Sequence, residues 1–209
     1  MRQGLDASTK CATQAKCLKS AGYEFVCRYY ARNTKKAIGL AEARALSAAG
    51  LNIVVIWEDV PTSTAYFSHS RGVDDATSAY HAAMLLGQPA ESPIYFAVDY
   101  DAPPDAIAGA IADYFKGVDD GFKAIAMGSS VHPIGVYGSG ATCSWLLKRG
   151  MATFSWLAQS TKWSGHDTFS EWNIKQGPGK PLSKCGGLSI DTDQAQESYG
   201  GFAISAMTS

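Results

Sequence analysis

The chain has no apolar run long enough to cross a bilayer, no block of basic residues, no CxxC pair and no linker-like stretch rich in proline, glycine or serine. Each absence excludes something. A spanning helix needs roughly 20 apolar residues in a row, so no membrane span is expected. Lysine and arginine number 18 against 19 acidic residues, for a net charge of −1. That balance carries no electrostatic footprint for nucleic acid or an anionic membrane. The cysteines are Cys11, Cys17, Cys27, Cys143 and Cys185. Their odd number and their spacing support neither a zinc site nor a fixed disulfide framework. A disulfide among them cannot be read from spacing. Cys27 lies in an apolar run and reads as a buried thiol. The missing linker leaves one domain over residues 1–209. No charged segment followed by an apolar one precedes the strand-like Gly4-Leu5-Asp6, so no signal peptide is legible. The expectation is a cytoplasmic protein until lysis or another export route releases it.

What is present is a globular composition, 46% hydrophobic and 18% charged over 209 residues, enough for one substantial core. Its centre is Pro93-Ile94-Tyr95-Phe96-Ala97-Val98-Asp99-Tyr100-Asp101, closed by Pro103-Pro104. An apolar, β-branched run so bounded predicts a buried strand. Alternation puts Tyr95, Ala97, Asp99 and Asp101 on one face and Ile94, Phe96, Val98 and Tyr100 on the other. Two carboxylates on one face should repel and push one pKa up, which makes a general acid near neutral pH. The plainer reading caps a helix with Asp101 and pairs Asp99 with an arginine.

Around this strand the chain keeps an α/β cadence. Strands are predicted at Gly4–Asp6, Phe25–Tyr30, Ile53–Glu58 and Pro133–Tyr137. Helices are predicted at Thr9–Ala21, Leu40–Ala49, Val73–Leu86, Pro104 to about Met127 with breaks at Gly117 and Gly121, and Ser139–Lys148. Thr153–Gln159, Glu171–Gln176 and Leu188–Asp193 then read as strands with no room for helices between them. The fold class is α/β, a TIM-like β/α barrel of five β/α units followed by three strands.

Polar residues recur at the strand ends: Asp6, Arg28, Glu58, Asp99 with Asp101, Gln176, and Asp191 with Asp193. In a closed barrel they would ring one mouth. Singly, each has a structural explanation, such as a cap at Asp6 or a Glu58–Arg28 pair. Jointly, they concentrate negative charge. Aromatics accompany them, among them Tyr137, Trp156 and, in a polar loop, Trp163. Aromatic faces suit the C–H faces of sugars, while carboxylates and amides hold hydroxyls.

Gly4-Leu5-Asp6, Phe25-Val26-Cys27-Arg28-Tyr29, Ala49-Gly50-Leu51, Trp57-Glu58, Pro93 to Asp101, Gly135-Val136-Tyr137-Gly138-Ser139, Trp156-Leu157-Ala158 and Asp191-Thr192-Asp193 follow the order of one family. Over nearly its whole length the chain resembles the glycoside-hydrolase-like proteins called domain of unknown function 1906. More distantly it is similar to the family 25 lysozymes, muramidases built on a five-plus-three β/α barrel. The lysozyme pattern implies roles for Asp6, Asp191 and an Asp-x-Glu pair that falls on Asp99-Tyr100-Asp101. Here Asp101 stands where the pattern has Glu, and its proton would sit roughly 1.5 Å back on an unchanged backbone. Glu58 could supply the missing reach.

The implied activity is a lysozyme-like glycosidase acting on cell-wall peptidoglycan. Asp101 or Glu58 would be the acid and Asp99 the stabilising carboxylate, unless a substrate N-acetyl group serves as internal nucleophile. Asp6 and Asp191 would place the sugar or water. Arg28, Tyr137, Trp156, Trp163 and Gln176 are the expected substrate contacts. No cofactor or metal is implied, and a monomer is expected. The alternatives are a glycan-binding barrel without turnover and a hydrolase of another polysaccharide.

Overall fold

The computed structural model describes residues 1–127 and 131–204. Eight strands close into a barrel in chain order: β1 (Arg2–Asp6), β2 (Phe25–Tyr30), β3 (Asn52–Trp57), β4 (Ile94–Ala97), β5 (Ile134–Gly138), β6 (Phe154–Leu157), β7 (Ile174–Leu182) and β8 (Leu188–Ala195). Neighbours from β1 to β7 pair in parallel, and β8 is antiparallel to both β7 and β1. Helices cover the outside: α1 (Ala15–Ser20), α2 (Leu40–Ala48), α3 (His69–Leu86), α4 (Pro104–Ala106), α5 (Ala112–Ile125) and α6 (Gly140–Lys148). The expected fold, five β/α units and then three strands, is what forms.

Period-two alternation sorts the strands into two cores. Phe25, Cys27, Tyr29, Val54, Ile56, Tyr95, Ala97, Tyr137, Trp156 and Ile174 form the barrel interior. Their neighbours Val26, Val55, Phe96, Val136 and Leu157 face the helices. Rings fill the interior where strands lack side chains. A Cβ on Gly4 would stand 2.2 Å from the Phe25 ring, and one on Gly135 2.6 Å from the Tyr95 ring. Either substitution would displace a buried aromatic.

Three expectations need correction. The first helix is shorter than Thr9–Ala21: a 3-10 turn at Ala12–Gln14 leads into Ala15–Ser20. Neither Gly117 nor Gly121 breaks α5. Gly117 lies against the His69 carbonyl oxygen, 2.0 Å from where a Cβ would be, so glycine lets α5 pack closely on α3. Gln176 does not end β7, which continues past a bulge at Gln176/Gly179 to form a hairpin with β8. Because β8 runs against the other strands, Asp191 reaches the mouth from the first half of its strand, directly opposite Asp6. The hairpin turn, Ser183–Cys185, is tied to α1 by a Cys17–Cys185 disulfide.

Candidate active site

At the carboxyl ends of the parallel strands the interior turns polar. Tyr29, Glu58, Asp99, Tyr137, Trp156, Gln159, Gln176 and Asp191 line a cavity of about 210 Å³. Drug-sized sites run to roughly 300–1,000 Å³, so this volume suits a single ring. Alternation delivers the acids. Glu58 follows Val54 and Ile56 on the inner face of β3, and Asp99 follows Tyr95 and Ala97 on that of β4.

Asp6 lies just below, 3% exposed. Its Oδ1 accepts the Tyr29 hydroxyl at 2.8 Å and its Oδ2 the Gln176 amide, also at 2.8 Å. The Gln176 carbonyl oxygen accepts the Tyr137 hydroxyl at 2.9 Å and the Gln159 N–H at 3.2 Å. A chain of donors thus fixes Tyr137, Gln176, Asp6 and Tyr29 together. Burial pushes the Asp6 carboxyl up to about 6, against the two hydrogen bonds that lower it, with Asp191 and Glu58 adding repulsion. Deeper still, burial holds the Asp193 carboxyl well above the usual range, and Asp6 reinforces the shift. Asp193 Oδ1 accepts the Trp156 indole N–H at 3.0 Å. That bond fixes the indole, which meets the Tyr137 ring edge-on at 5.2 Å.

Glu58 is raised by burial, with Asp99 contributing and the Lys36 ammonium opposing. Lys36 forms an ion pair with Glu58 and stands 3.8 Å from the centre of the Tyr29 ring. Asp99 is raised by burial, again against Lys36. Among the described residues none donates a hydrogen bond to its carboxyl. Asp191, half-buried on the opposite wall, is raised by burial as well. Among the described residues no three His, Cys, Asp or Glu side chains converge as metal ligands would.

The structure therefore gathers Asp6, Glu58, Asp99, Asp191, Tyr137, Trp156 and Gln176, but not every expected residue. Arg28 points outward, fully buried, and pairs with Glu42 at 2.9 Å rather than with Glu58. Its guanidinium also donates to the carbonyl oxygens of Ala7, the residue after Asp6, and of Lys36. Asp101 also leaves the inner face, because sheet pairing continues only through the Val98 N–H, bonded to the Tyr137 carbonyl oxygen, and the Asp99 N–H turns to the Pro61 carbonyl oxygen. Both its oxygens are taken by Ser164. Trp163, next in the chain to Ser164, is half-buried against the interior cluster. Tyr29 and Lys36 were missing from the expected set. Alternation along β2 identifies Tyr29, since it shares a face with Cys27 while Arg28 does not. Lys36 sits in an irregular loop with no periodic signal.

Residues 16–197 match the family described as Rv2525c-like, glycoside hydrolase-like domain. An uncharacterised Bacillus subtilis protein, YbfG, is 33% identical over 196 residues, 87% of this chain. The chain spans only 27% of that protein's length. The Tat-secreted Mycobacterium tuberculosis protein Rv2525c, crystallised with L-tartrate, superposes with a TM-score of 0.79 at 24% identity, covering 97% of this chain and 99% of that one. A bacterial lysozyme from Streptomyces coelicolor superposes with a TM-score of 0.57 at 18% identity, over 94% of this chain and 93% of the lysozyme. At these identities the structural likeness speaks for the fold.

Proposed function

The chain belongs to the Rv2525c-like, glycoside hydrolase-like domain family, and from that premise we propose that it is a lysozyme-like glycosidase of bacterial cell-wall peptidoglycan. The observation that carries the reading is the set of three carboxylates, Glu58, Asp99 and Asp191, around one ring-sized cavity floored by Asp6.

Hydrolysis of a glycoside needs a proton on the leaving oxygen and negative charge beside an oxocarbenium-like centre. Asp99 is the proton donor in this reading. It faces the cavity, burial favours its neutral form, and no described neighbour ties up its proton. Glu58 is raised by burial as well, but it is the one of the two in a direct ion pair with Lys36, and it supplies the negative charge. As the bond between the anomeric carbon and the leaving oxygen breaks, the Asp99 proton passes to that oxygen. Water then adds at the anomeric carbon and returns a proton to Asp99. Asp191 and the Tyr137–Gln176–Asp6 chain hold the sugar hydroxyls. Asp101 is not the acid in this scheme, since Ser164 occupies it.

The Cys17–Cys185 disulfide supports action outside the cytoplasm, because disulfides persist in oxidising compartments. The test is digestion of purified peptidoglycan followed by reductive labelling. New reducing ends on muramic acid support the muramidase reading, and no new ends contradict it. A second reading, sugar binding without turnover, is favoured by Asp101 alone. Where the lysozyme pattern has a glutamate, this chain has an aspartate hydrogen-bonded through both oxygens to Ser164.

A further inference from the structure

The disulfide joins two segments of one charge sign. Residues 7–23 carry Lys10, Lys16 and Lys19 and no carboxylate, and residues 177–190 carry Lys180 and Lys184 and no carboxylate. In a chain with a net charge of −1 that is a strong local excess. All five lysines are exposed, and none pairs with a carboxylate among the described residues. Glu24, just beyond the first segment, is engaged by Arg2 at 2.7 Å.

Between the segments runs a groove of about 690 Å³, lined by Ser20, Tyr23, Lys180, Leu182, Ser183 and Lys184, with the Cys17–Cys185 pair in its wall. It shares no lining residue with the carboxylate cavity, though the chain links them. Asp191, which lines that cavity, has its Oδ1 2.5 Å from where a Cβ on Gly179 would be, one residue before Lys180.

We propose that this groove binds a flexible polymer of phosphate groups. Lys180 and Lys184, the two of these lysines in its lining, can bind phosphate as point charges, and the Ser20 and Ser183 hydroxyls add donors. A concave groove fits a chain rather than a flat lipid surface. Tyr23 is its one aromatic, so a stacking platform for successive bases is missing. The proposal is independent of the glycosidase reading, since it concerns a different surface and needs no turnover.

The test is equilibrium binding of long-chain inorganic polyphosphate to the disulfide-bonded protein at about 50 mM salt, where counterion release is pronounced. The Lys180→Gln/Lys184→Gln variant should bind about ten- to thirtyfold more weakly, at roughly fivefold per lysine near an anionic partner. Its affinity should also fall less steeply with salt. Lys148→Gln, on α6, should bind like the wild type. Both variants replace exposed residues, and unchanged melting confirms that they fold. No binding by the wild type would overturn the proposal, as would equal binding by the double variant. So would tighter binding of single-stranded DNA, or of anionic phosphatidylglycerol vesicles, with the same lysine dependence.

Discussion

Asp101 and Ser164 are locked together: one carboxylate oxygen accepts the Ser164 backbone N–H at 2.9 Å and the other its hydroxyl at 3.0 Å. The contact spans 63 residues and ties the loop after β4 to the loop that carries Trp163. It makes Asp101 a positioning residue for that tryptophan. If peptidoglycan is cleaved, Asp101→Ala should raise KM and leave kcat within about tenfold, since uniform binding is what is lost. Asp101→Asn keeps one acceptor and should fall between the two. A fall in kcat of about a hundredfold or more for Asp101→Ala, with KM unchanged, would return Asp101 to the role of acid.

Arg28 is a structural residue. Its guanidinium and the Glu42 carboxylate are 0% and 4% exposed, and Glu42 also accepts the Cys11 N–H at 2.8 Å. Removing one partner strands a buried charge, so Arg28→Met should destabilise by about 3–5 kcal/mol. Arg28→Met/Glu42→Leu should lose less than the single variant, because neither charge is then left alone. Urea melts of the three proteins measure this. A single variant as stable as wild type but weaker in glycan binding would make Arg28 a substrate contact after all.

Much of this was legible in the chain. The Phe25–Tyr30 strand forms with the expected bounds, and alternation from Tyr95 through Ala97 places Asp99 at the mouth. Sequence and structure part where residue type outweighs alternation or where alternation has ended. On β2, residue type favoured Arg28 over Tyr29, although parity with Cys27 selects the tyrosine. From the Asp99 N–H onward the chain leaves the sheet for the Pro61 carbonyl oxygen, so parity no longer governs Asp101. The β7–β8 hairpin and the Cys17–Cys185 pair depend on chain reversal and on contacts 168 residues apart, which local pattern does not encode. Lys36 reaches Glu58 from an irregular loop, and only tertiary packing puts it there.

The buried acids set a pH dependence of stability. Asp6 has a folded pKa of about 6, against 3.8 for the ordinary carboxyl. An acid raised on folding costs nothing below its unfolded pKa and costs most above its folded one. Stability should therefore rise as pH falls from about 7 toward 4, by a few kcal/mol at most from this group. Glu58, Asp99 and Asp191 are shifted in the same direction and should add to the rise. Melting temperatures across that range test it, and a steady loss of stability on acidification would contradict it.

The disulfide closes a loop with a sequence separation of 168. Chain entropy assigns such a closure about 5 kcal/mol, with measured losses nearer 2–5 kcal/mol. Cys17→Ser/Cys185→Ser should melt well below the wild type, and reductant should lower the wild type toward it. Identical melts with and without reductant would show that the link contributes nothing.

In the proposed reaction Asp99 and Glu58 act together, and one assay addresses both. Reducing ends released from purified peptidoglycan should be counted for wild type, Asp99→Asn and Glu58→Gln, with binding to the same glycan measured in parallel. The expected result is cleavage by the wild type, a loss of about two to four orders of magnitude in each variant, and retained binding. No reducing ends from the wild type, with glycan binding intact, would contradict the hydrolase reading and leave a sugar-binding barrel.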